Sequence, residues 1–342
     1  MSSPGHIRSL KPPEPLPAWR LYGVLIVLLP VWVVFPWVAA GPYAYLLPLA
    51  QLCGIYAIGA TGLTLLMGFT GQVSLGHAGY YAVGAYGVAV AAGVWHWPVP
   101  VAIGAALGAG GALAWATGAA ILRLRGHYLA LATLCLGVII AEIINRSAIT
   151  GGAAGLFDLP EITLFGLARG PVGKYYLIWG VLWLVMVAMV HLTASPVGRA
   201  LRAIHHDEEA AAAVGIRVFE VKLKVFIGSS LLAGVAGILY ALVYTPSYLG
   251  PEEFHLMLSV LFLTMVVVGG MSSVWGGVVG AVLLTSMHEA ITLAGEKAGL
   301  TQIARFEQLI YGLVLVLMMI YCPRGLAPSL HRWIQRRFRR PP

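Results

Sequence analysis

Residues 195–224 read SPVGRALRAIHHDEEAAAAVGIRVFEVKLK, and they form the one long polar stretch in an otherwise apolar sequence. The stretch predicts a short helix outside the membrane, because signals for both helix ends are present. Ser195 can accept hydrogen bonds from free amides, Pro196 suits the first helical position, and Gly215 provides a left-handed stop. At about 100° per residue, the helix has a small apolar face and a charged face. The apolar face contains Leu201, Ile204, Ala211 and Gly215, and the charged face contains Arg199, Arg202, His206 and Glu209.

Composition identifies an integral membrane protein. Of the 342 residues, 59% are hydrophobic and only 10% are charged, whereas an average soluble domain is about 25% charged. The net charge of +8 lies in loops and tails. From the residues alone, the stretch at 195–224 is either an amphipathic helix resting on the membrane surface or a helix whose shallow face binds another protein.

Ten apolar runs are long enough to cross a membrane, where a spanning helix needs about 20 residues. They lie approximately at residues 21–40, 45–66, 75–94, 98–122, 127–144, 175–194, 224–244, 254–270, 274–292 and 306–321. The sequence therefore predicts an all-α, polytopic membrane protein with about ten transmembrane helices. The predicted segments are an N-terminal tail at 1–20, a transmembrane domain at 21–322 that includes the 195–224 loop, and a basic tail at 323–342.

The distribution of Lys and Arg predicts the orientation, because basic residues accumulate on the cytoplasmic side. Ten spans place both termini on one side. If that side is the cytoplasm, the inner loops and tails hold sixteen of the 21 Lys and Arg residues and the outer loops hold five. The 195–224 stretch is then cytoplasmic, and the basic tail is expected to lie on anionic membrane lipids rather than on nucleic acid.

Residues 209–215 follow the pattern E-A-A-x-x-x-G. This pattern resembles the cytoplasmic EAA loop of ABC importer permeases. Residues 198–216, GRALRAIHHDEEAAAAVGI, are similar to the form found in the branched-chain amino acid (high-affinity amino acid) ABC permease family, in its larger-permease type. The resemblance implies a coupling helix that docks into an ATPase subunit. The docking residues that it implies are Gly198, Arg199, Arg202, Asp207, Glu208, Glu209, Ala210, Ala211 and Gly215.

A second, glycine-dense stretch, GFTGQVSLGHAGYYAVGAY at residues 68–86, carries polar side chains at membrane depth. The glycines permit a broken helix, whose free backbone groups are tolerated only inside protein or beside a wet cavity. The alternative is a tightly packed helix, with His77 hydrogen-bonded to a neighbour, and for the histidine alone this is the preferred interpretation. The stretch as a whole resembles the family's G-x-x-G-Q-x-S-L-G-H-A signature, which implies that Gln72, Ser74 and His77 help to line the translocation route.

Further segments extend the resemblance over most of the chain. Residues 123–140 follow the family's R-L-x-G-x-Y-x-A-x-x-T-L pattern, in which Thr133 either joins the translocation route or bonds back to its own helix. Residues 150–160 resemble the family's T-G-G-x-x-G-L segment, but Ala153 and Ala154 replace its usual polar residues, so a flexible outer loop is an equal alternative. Residues 225–251 and 266–284 are also similar to the family.

Signatures of other functional classes are missing or incomplete. The sequence has no G-x-x-x-x-G-K-[ST] phosphate loop, so hydrolysis of ATP would require a partner. His288 and Glu289 begin the zinc motif H-E-x-x-H, but the sequence continues HEAIT. A secondary carrier would need buried acidic residues near the midplane, whereas Glu142 and Glu289 fall near the ends of predicted spans. The three cysteines lack the spacing of a metal site or a disulfide framework.

The residues and the resemblance together predict a permease subunit of an ABC importer for branched-chain or related amino acids, with no catalytic residue, cofactor or metal. The resemblance implies a second permease, two ATPase subunits and an extracytoplasmic binding protein, in the bacterial inner membrane. Urea or short amides are alternative substrates, and a secondary carrier is a less favoured alternative class.

Overall fold

A computed structural model of the chain describes residues 30, 32–37, 45–124, 126–159, 170–245, 247–297, 312–313, 316–317 and 325–327. The helices α1 to α10 are, in chain order, Leu46–Thr70, His77–Ala89, Val99–Ile121, His127–Arg146, Gly170–Ala194, Pro196–His206, Glu208–Ala213, Val218–Leu239, Leu256–Gly269 and Gly276–Lys297. Short π-helical turns continue α2 through Val90–Val94 and α8 through Tyr240–Tyr244. Two short strands, β1 at Leu156–Phe157 and β2 at Tyr248–Leu249, pair in antiparallel fashion.

The protein is a mostly helical, multi-pass membrane protein. Five of its described helices are long and apolar enough to cross a membrane, namely α1, α3, α4, α5 and α8 with its π turn. The apolar α9 is shorter, with 14 residues, and α2 has 13 residues before its π turn. Described helices coincide with eight of the ten predicted spans. The predicted spans 21–40 and 306–321 lie mostly outside the described residues, and the number of ten spans stays a prediction.

Helices α1, α2 and α8 form the centre of the bundle. In the most apolar 18-residue segment of each helix, 83% of the residues of α1 and 72% of those of α8 are buried, compared with 17% for α3 and 22% for α4. Close packing of α2 on α8 depends on glycine, because a Cβ built on Gly84 would lie 2.1 Å from the Gly234 carbonyl oxygen. A Cβ on Gly237 would lie 1.9 Å from the Tyr81 carbonyl oxygen. The two backbones are therefore in direct contact, as small residues permit in membrane helices.

Helix α8 connects the two ends of the bundle. With its π turn it runs from Val218 to Tyr244, and these 27 residues span about 40 Å at 1.5 Å per residue. The polar helices α6 and α7 precede its first residue, and the β1–β2 ribbon lies beyond its last. In the ribbon, Leu156 pairs with Leu249 and Phe157 pairs with Tyr248. This ribbon is the one departure of the described residues from the all-α prediction.

Candidate functional site

The glycine-dense stretch is a broken helix, one of the two arrangements that its sequence allows. Gly71 follows the end of α1 with a φ of +69°, a conformation that disfavours residues with a Cβ. The chain is non-helical over residues 71–76 and becomes helical again at His77. Ser229 of α8 bonds both to His77 and to the Gly62 carbonyl oxygen of α1. Gly62 lies eight residues, or about 12 Å, before the end of α1. Because His77 is linked to this level of α1 through Ser229, the chain turns back into the bundle at the break.

His77 is completely buried, and both of its ring nitrogens have partners. Its Nε2 lies 2.8 Å from the Ser229 hydroxyl oxygen, and Ser229 donates to the Gly62 carbonyl oxygen at 2.5 Å. Because the Ser229 hydrogen is used in that bond, Nε2 must carry the proton that Ser229 accepts. Nδ1 then accepts from the Ser74 hydroxyl, 3.2 Å away. His77 is therefore a neutral, packed imidazole, which confirms the preferred interpretation of this histidine.

Two more helices bond to the backbone of the break. The Leu75 N–H donates to Thr133 Oγ1 of α4 at 3.0 Å, and the Ala78 N–H donates to Ser259 Oγ of α9 at 3.0 Å. Thr133 also donates to the Ala130 carbonyl oxygen of its own helix at 2.9 Å. Non-helical backbone at membrane depth needs partners of this kind. Side chains of α4, α8 and α9 thus hold the break in one position.

Gln72 differs from its polar neighbours. Its side chain is only 3% exposed, yet neither its amide nitrogen nor its oxygen has a hydrogen-bond partner among the residues that the structure describes. A buried polar group left unpaired costs about 1–3 kcal/mol. The structure therefore brings Gln72, Ser74, His77 and Thr133 into one polar region, and of these four only Gln72 has unused hydrogen-bonding capacity.

The polar stretch forms two helices, so the prediction of one helix ending at Gly215 is wrong. Helix α6 ends at His206, and the next residue, Asp207, has an extended backbone with φ −159° and ψ 112°. The Asp207 carboxylate accepts hydrogen bonds from the N–H groups of Glu209 at 2.9 Å and Ala210 at 3.1 Å. Aspartate is a preferred N-cap residue for this reason. Asp207 therefore ends one helix and starts the next, α7.

The two predicted end signals of the stretch are confirmed. Ser195 Oγ accepts from the N–H groups of Val197 at 3.1 Å and Gly198 at 3.4 Å, which caps α6. Gly215 follows α7 with a φ of +88°. A Cβ built on Gly215 would meet nothing within 4 Å, so this residue is exposed and does not belong to the apolar face with which the sequence grouped it.

The apolar face of α6 and α7 packs inside the protein's own bundle. Leu201, Ile204 and Ala211 are 0%, 2% and 2% exposed, respectively. A Cβ built on Gly198 would lie 2.3 Å from the carbonyl oxygen of Thr193 at the end of α5. The sequence left two partners open for this face, the membrane surface or another protein, but in the structure the face packs on the same chain.

Charged side chains attach α6 and α7 to the bundle. Arg202 Nη1 donates to the Thr193 carbonyl oxygen at 3.0 Å. Glu208 forms an ion pair with Lys222 of α8, whose side chain is only 14% exposed. The Glu208 side chain is 46% exposed, and an ion pair with such access to water contributes about 1 kcal/mol or less. The helix pair is therefore fixed to the bundle by polar contacts as well as by its apolar face.

A small exposed surface surrounds the end of α7, and we call it the α7 tip; its members are Glu209, Ala210, Val214 and Gly215. Val214 is 77% exposed and provides an apolar side chain on this otherwise small and polar surface. Of the nine predicted docking residues, six are exposed, namely Arg199, Asp207, Glu208, Glu209, Ala210 and Gly215. Those that make contacts within the chain are Gly198, Arg202, Asp207, Glu208 and Ala211.

Several residues of both regions were missed by sequence reasoning. Ser229 and Ser259 could have been found, because a polar side chain inside an apolar span predicts a buried partner. Lys222 lies 14 residues from Glu208, and no local pattern links the two. The exposure of Val214 depends on where α7 ends, which required knowledge of the cap at Asp207.

Known proteins are similar to the chain over most of its length. The profile of the family described as "Branched-chain amino acid transport system / permease component" matches residues 45–319. The chain is 34% identical over 309 residues to the high-affinity branched-chain amino acid transport system permease protein LivM of Escherichia coli (strain K12), which covers 82% of this chain and 69% of LivM. No solved structure matches the chain.

Weaker similarities extend to other import permeases. The ribose import permease protein RbsC of Escherichia coli (strain K12) is 26% identical over 284 residues, with 79% of this chain and 82% of RbsC covered. The permease protein LivH of the high-affinity branched-chain amino acid transport system of Salmonella typhimurium is 28% identical over 152 residues, with 44% and 46% covered. The family profile includes both the broken helix and the α6–α7 pair. The chain therefore belongs to the branched-chain amino acid transport system permease family.

Proposed function

We propose that the chain is a permease subunit of an ATP-driven ABC importer and forms part of the translocation path for branched-chain or related amino acids. Membership of the family supports the transport role, and LivM, named as a branched-chain amino acid permease, supports the substrate class. The observation that carries the proposal is the α6–α7 pair, which is fixed to the bundle on one side and presents the α7 tip on the other. A helix pair attached in this way can transmit the movement of a bound ATPase to the bundle.

The α7 tip is the surface that we assign to contact with the ATPase. Val214 is its apolar member, and complete burial of a valine side chain stabilises by about 1.5 kcal/mol or more. Glu209 adds a charge that fixes the register of the contact, while Ala210 and Gly215 allow close approach. The predicted docking residues that make contacts within the chain then contribute to ATPase binding indirectly, because they hold the α6–α7 pair in place.

The broken helix is the part of the bundle that we assign to the translocation path. In transporters, non-helical backbone at membrane depth lies in protein or beside water-filled cavities and often marks the substrate site. Ser74 and His77 bond to each other, and Thr133 accepts a hydrogen bond from the backbone of the break. Their proposed role is therefore to hold the shape of the break. Gln72 has free hydrogen-bonding capacity and is suited to changing partners as the path opens.

The proposed assembly contains a second permease, two ATPase subunits and an extracytoplasmic binding protein, in the bacterial inner membrane. Partial similarity to LivH supports a related second permease. The excess of Lys and Arg in the loops on the α6–α7 side supports a cytoplasmic position for this side and for both termini. The exposed apolar faces of α3 and α4 are then available to lipid or to the second permease.

Transport by reconstituted protein tests the proposal. Proteoliposomes contain the chain, its second permease and the ATPase subunits, with ATP in the lumen and with binding protein and labelled leucine outside. We expect uptake that needs ATP and disappears when the ATPase subunits are omitted. Uptake by the chain alone, driven by an ion gradient, would instead identify a secondary carrier. Labelled urea in place of leucine separates the two substrate classes.

Variants of the α7 tip test the docking surface. Glu209→Lys reverses the charge of the tip, and Gly215→Trp adds bulk at a position with positive φ. Each variant should weaken ATPase binding by more than the ~1 kcal/mol of an exposed ion pair, as measured by co-purification. Arg217→Ala is the matched control, since Arg217 pairs only with exposed Glu220 among the described residues. Unchanged stoichiometry in both tip variants would exclude this surface as the docking site.

A further inference from the structure

The end of α6 touches the beginning of the broken helix. A Cβ built on Gly71 would lie 3.2 Å from Nδ1 and 3.7 Å from Cε1 of His205. The imidazole therefore packs directly on the backbone of Gly71, the first residue of the break. The helix pair that carries the α7 tip and the segment assigned to the translocation path are thus in direct contact through α6.

His205 is carried by a firmly attached helix. Leu201, one turn earlier, is fully buried, and Arg202 is hydrogen-bonded to the end of α5. The ring of His206 meets that of His205 edge to face, with ring centroids 6.0 Å apart. Burial, and to a smaller extent His206, lowers the pKa of His205, so the ring is neutral at pH 7. Its contact with the break is therefore one of packing, without a net charge.

The two halves of the break are held by different helices. Ser74 bonds to His77, and Leu75 bonds to Thr133, so the second half of the segment is held by other helices. Gln72 has no side-chain hydrogen bond among the described residues. The N–H groups of Gly71 and Gln72 donate to carbonyl oxygens near the end of α1, at 3.1 and 3.4 Å. The first half of the break is therefore bonded to the end of the preceding helix and can move with it, while the second half is bonded to α4.

We propose that His205 is the positioning residue through which α6 and α7 act on the broken helix. When a bound ATPase moves the helix pair, His205 displaces Gly71 and the end of α1, and Gln72 and Val73 change position while the half of the break that is bonded to α4 stays in place. The inference rests on the proposed function, because it requires an ATPase that binds the α7 tip.

The test compares His205→Ala with His206→Ala in the complete importer in proteoliposomes. Both side chains are exposed, but of the two only His205 lies within 4 Å of a Cβ built on Gly71. Three quantities are measured: co-purification of the ATPase subunits, the rate of ATP hydrolysis, and the uptake per ATP hydrolysed. We expect His205→Ala to keep the first two and to lower uptake per ATP by about five-fold or more, the lower end of typical coupling between sites. His206→Ala should match the wild type in all three. His205→Asn, which restores a planar polar group beside Gly71, should recover part of the loss.

A second measurement follows the break itself. Val73 is 39% exposed, and Val73→Cys can be labelled in a background whose three native cysteines are replaced by alanine. ATP should change its labelling rate when His205 is present and leave the rate unchanged in His205→Ala.

Two outcomes would overturn the inference. Wild-type uptake per ATP in His205→Ala would show that the contact transmits nothing. Loss of ATPase co-purification in the same variant would assign His205 to docking instead. Failure of the proposed function is distinguishable from both, because then the wild-type complex would show no ATP-dependent uptake.

Discussion

At the residue scale, Ser229 links three parts of the bundle. Its hydroxyl accepts from His77 Nε2 and donates to the Gly62 carbonyl oxygen, so α8 connects the start of α2 to the middle of α1. We expect Ser229→Ala to leave the His77 N–H without its partner and to destabilise the protein by about 1–3 kcal/mol. The measurement is the thermal unfolding midpoint of the protein in detergent.

Thr64→Val is the control for that variant. Thr64 is also fully buried, but its hydroxyl bonds only to the Ala60 carbonyl oxygen of its own helix among the described residues. That oxygen keeps its bond from the backbone, so no buried group is left unpaired and we expect a smaller loss. If Thr64→Val and Ser229→Ala unfold at the same midpoint, the hydrogen bonds of His77 are not what stabilises this region.

Backbone contact between α2 and α8 leads to a second prediction at this scale. Gly237→Ala places a Cβ 1.9 Å from the Tyr81 carbonyl oxygen, so the two helices must separate. The cost should exceed the roughly 1–3 kcal/mol of ordinary overpacking, and the folded yield in size-exclusion chromatography should fall. Gly228→Ala on the same helix meets nothing within 4 Å and should be neutral or stabilising. Equal yields of the two variants would contradict the close contact.

Small-residue spacing shows what could be predicted at single positions and what could not. The sequence indicates that Gly104 with Gly108, and Gly276 with Gly280, permit close helix packing. In the structure, a Cβ on Gly280 would lie 1.7 Å from the Met265 carbonyl oxygen, whereas Gly104 and Gly108 have nothing within 4 Å. The spacing of small residues identifies a helix face that can pack closely. Whether a neighbouring helix lies on that face depends on the positions of all the helices, which the spacing does not give.

At the element scale, Asp207 divides the polar stretch into two helices. Asp207→Ala removes the side chain that caps α7, and loss of such a cap costs about 1 kcal/mol. Because α7 has only six residues, we expect its amides at Glu209 and Ala210 to exchange hydrogen several-fold faster. Hydrogen-exchange mass spectrometry of a peptide that contains α7 measures this. Asp207→Asn keeps an acceptor oxygen and should resemble the wild type; fast exchange in that variant too would argue against the cap.

The local signals for this division were present in the sequence. Asp207 followed by two glutamates is typical of a helix start, yet the long alanine run and the end signal at Gly215 favoured one continuous helix. The broken helix was foreseeable from its glycines, but the partners of its polar side chains were not. His77 bonds to Ser229, a residue 152 positions away, and no local pattern links the two.

At the scale of the whole molecule, hydropathy located the helices but could not show how deeply each is buried. The most apolar 18-residue segments of α1 and α3 have similar mean hydropathies, 1.7 and 1.6. However, 83% of the segment in α1 is buried and only 17% of the segment in α3. In a membrane, residues that face lipid and residues that face the protein core are equally apolar. Composition therefore does not distinguish a lipid-facing helix from a central one. The orientation, by contrast, is predicted from the distribution of charge, and the two ends of α8 allow this prediction to be tested.

The α7 tip and the β1–β2 ribbon lie at opposite ends of α8 and therefore should lie on opposite sides of the membrane. Val214 in the tip is 77% exposed and Phe157 in the ribbon is 63% exposed, so a cysteine at either position should react readily. In a background without the three native cysteines, right-side-out vesicles should show labelling of Phe157→Cys by a membrane-impermeant maleimide. Val214→Cys should react only after permeabilisation, because the excess of Lys and Arg predicts a cytoplasmic position for its side. Labelling of Val214→Cys in intact vesicles would reverse the orientation and leave the α7 tip out of reach of an ATPase.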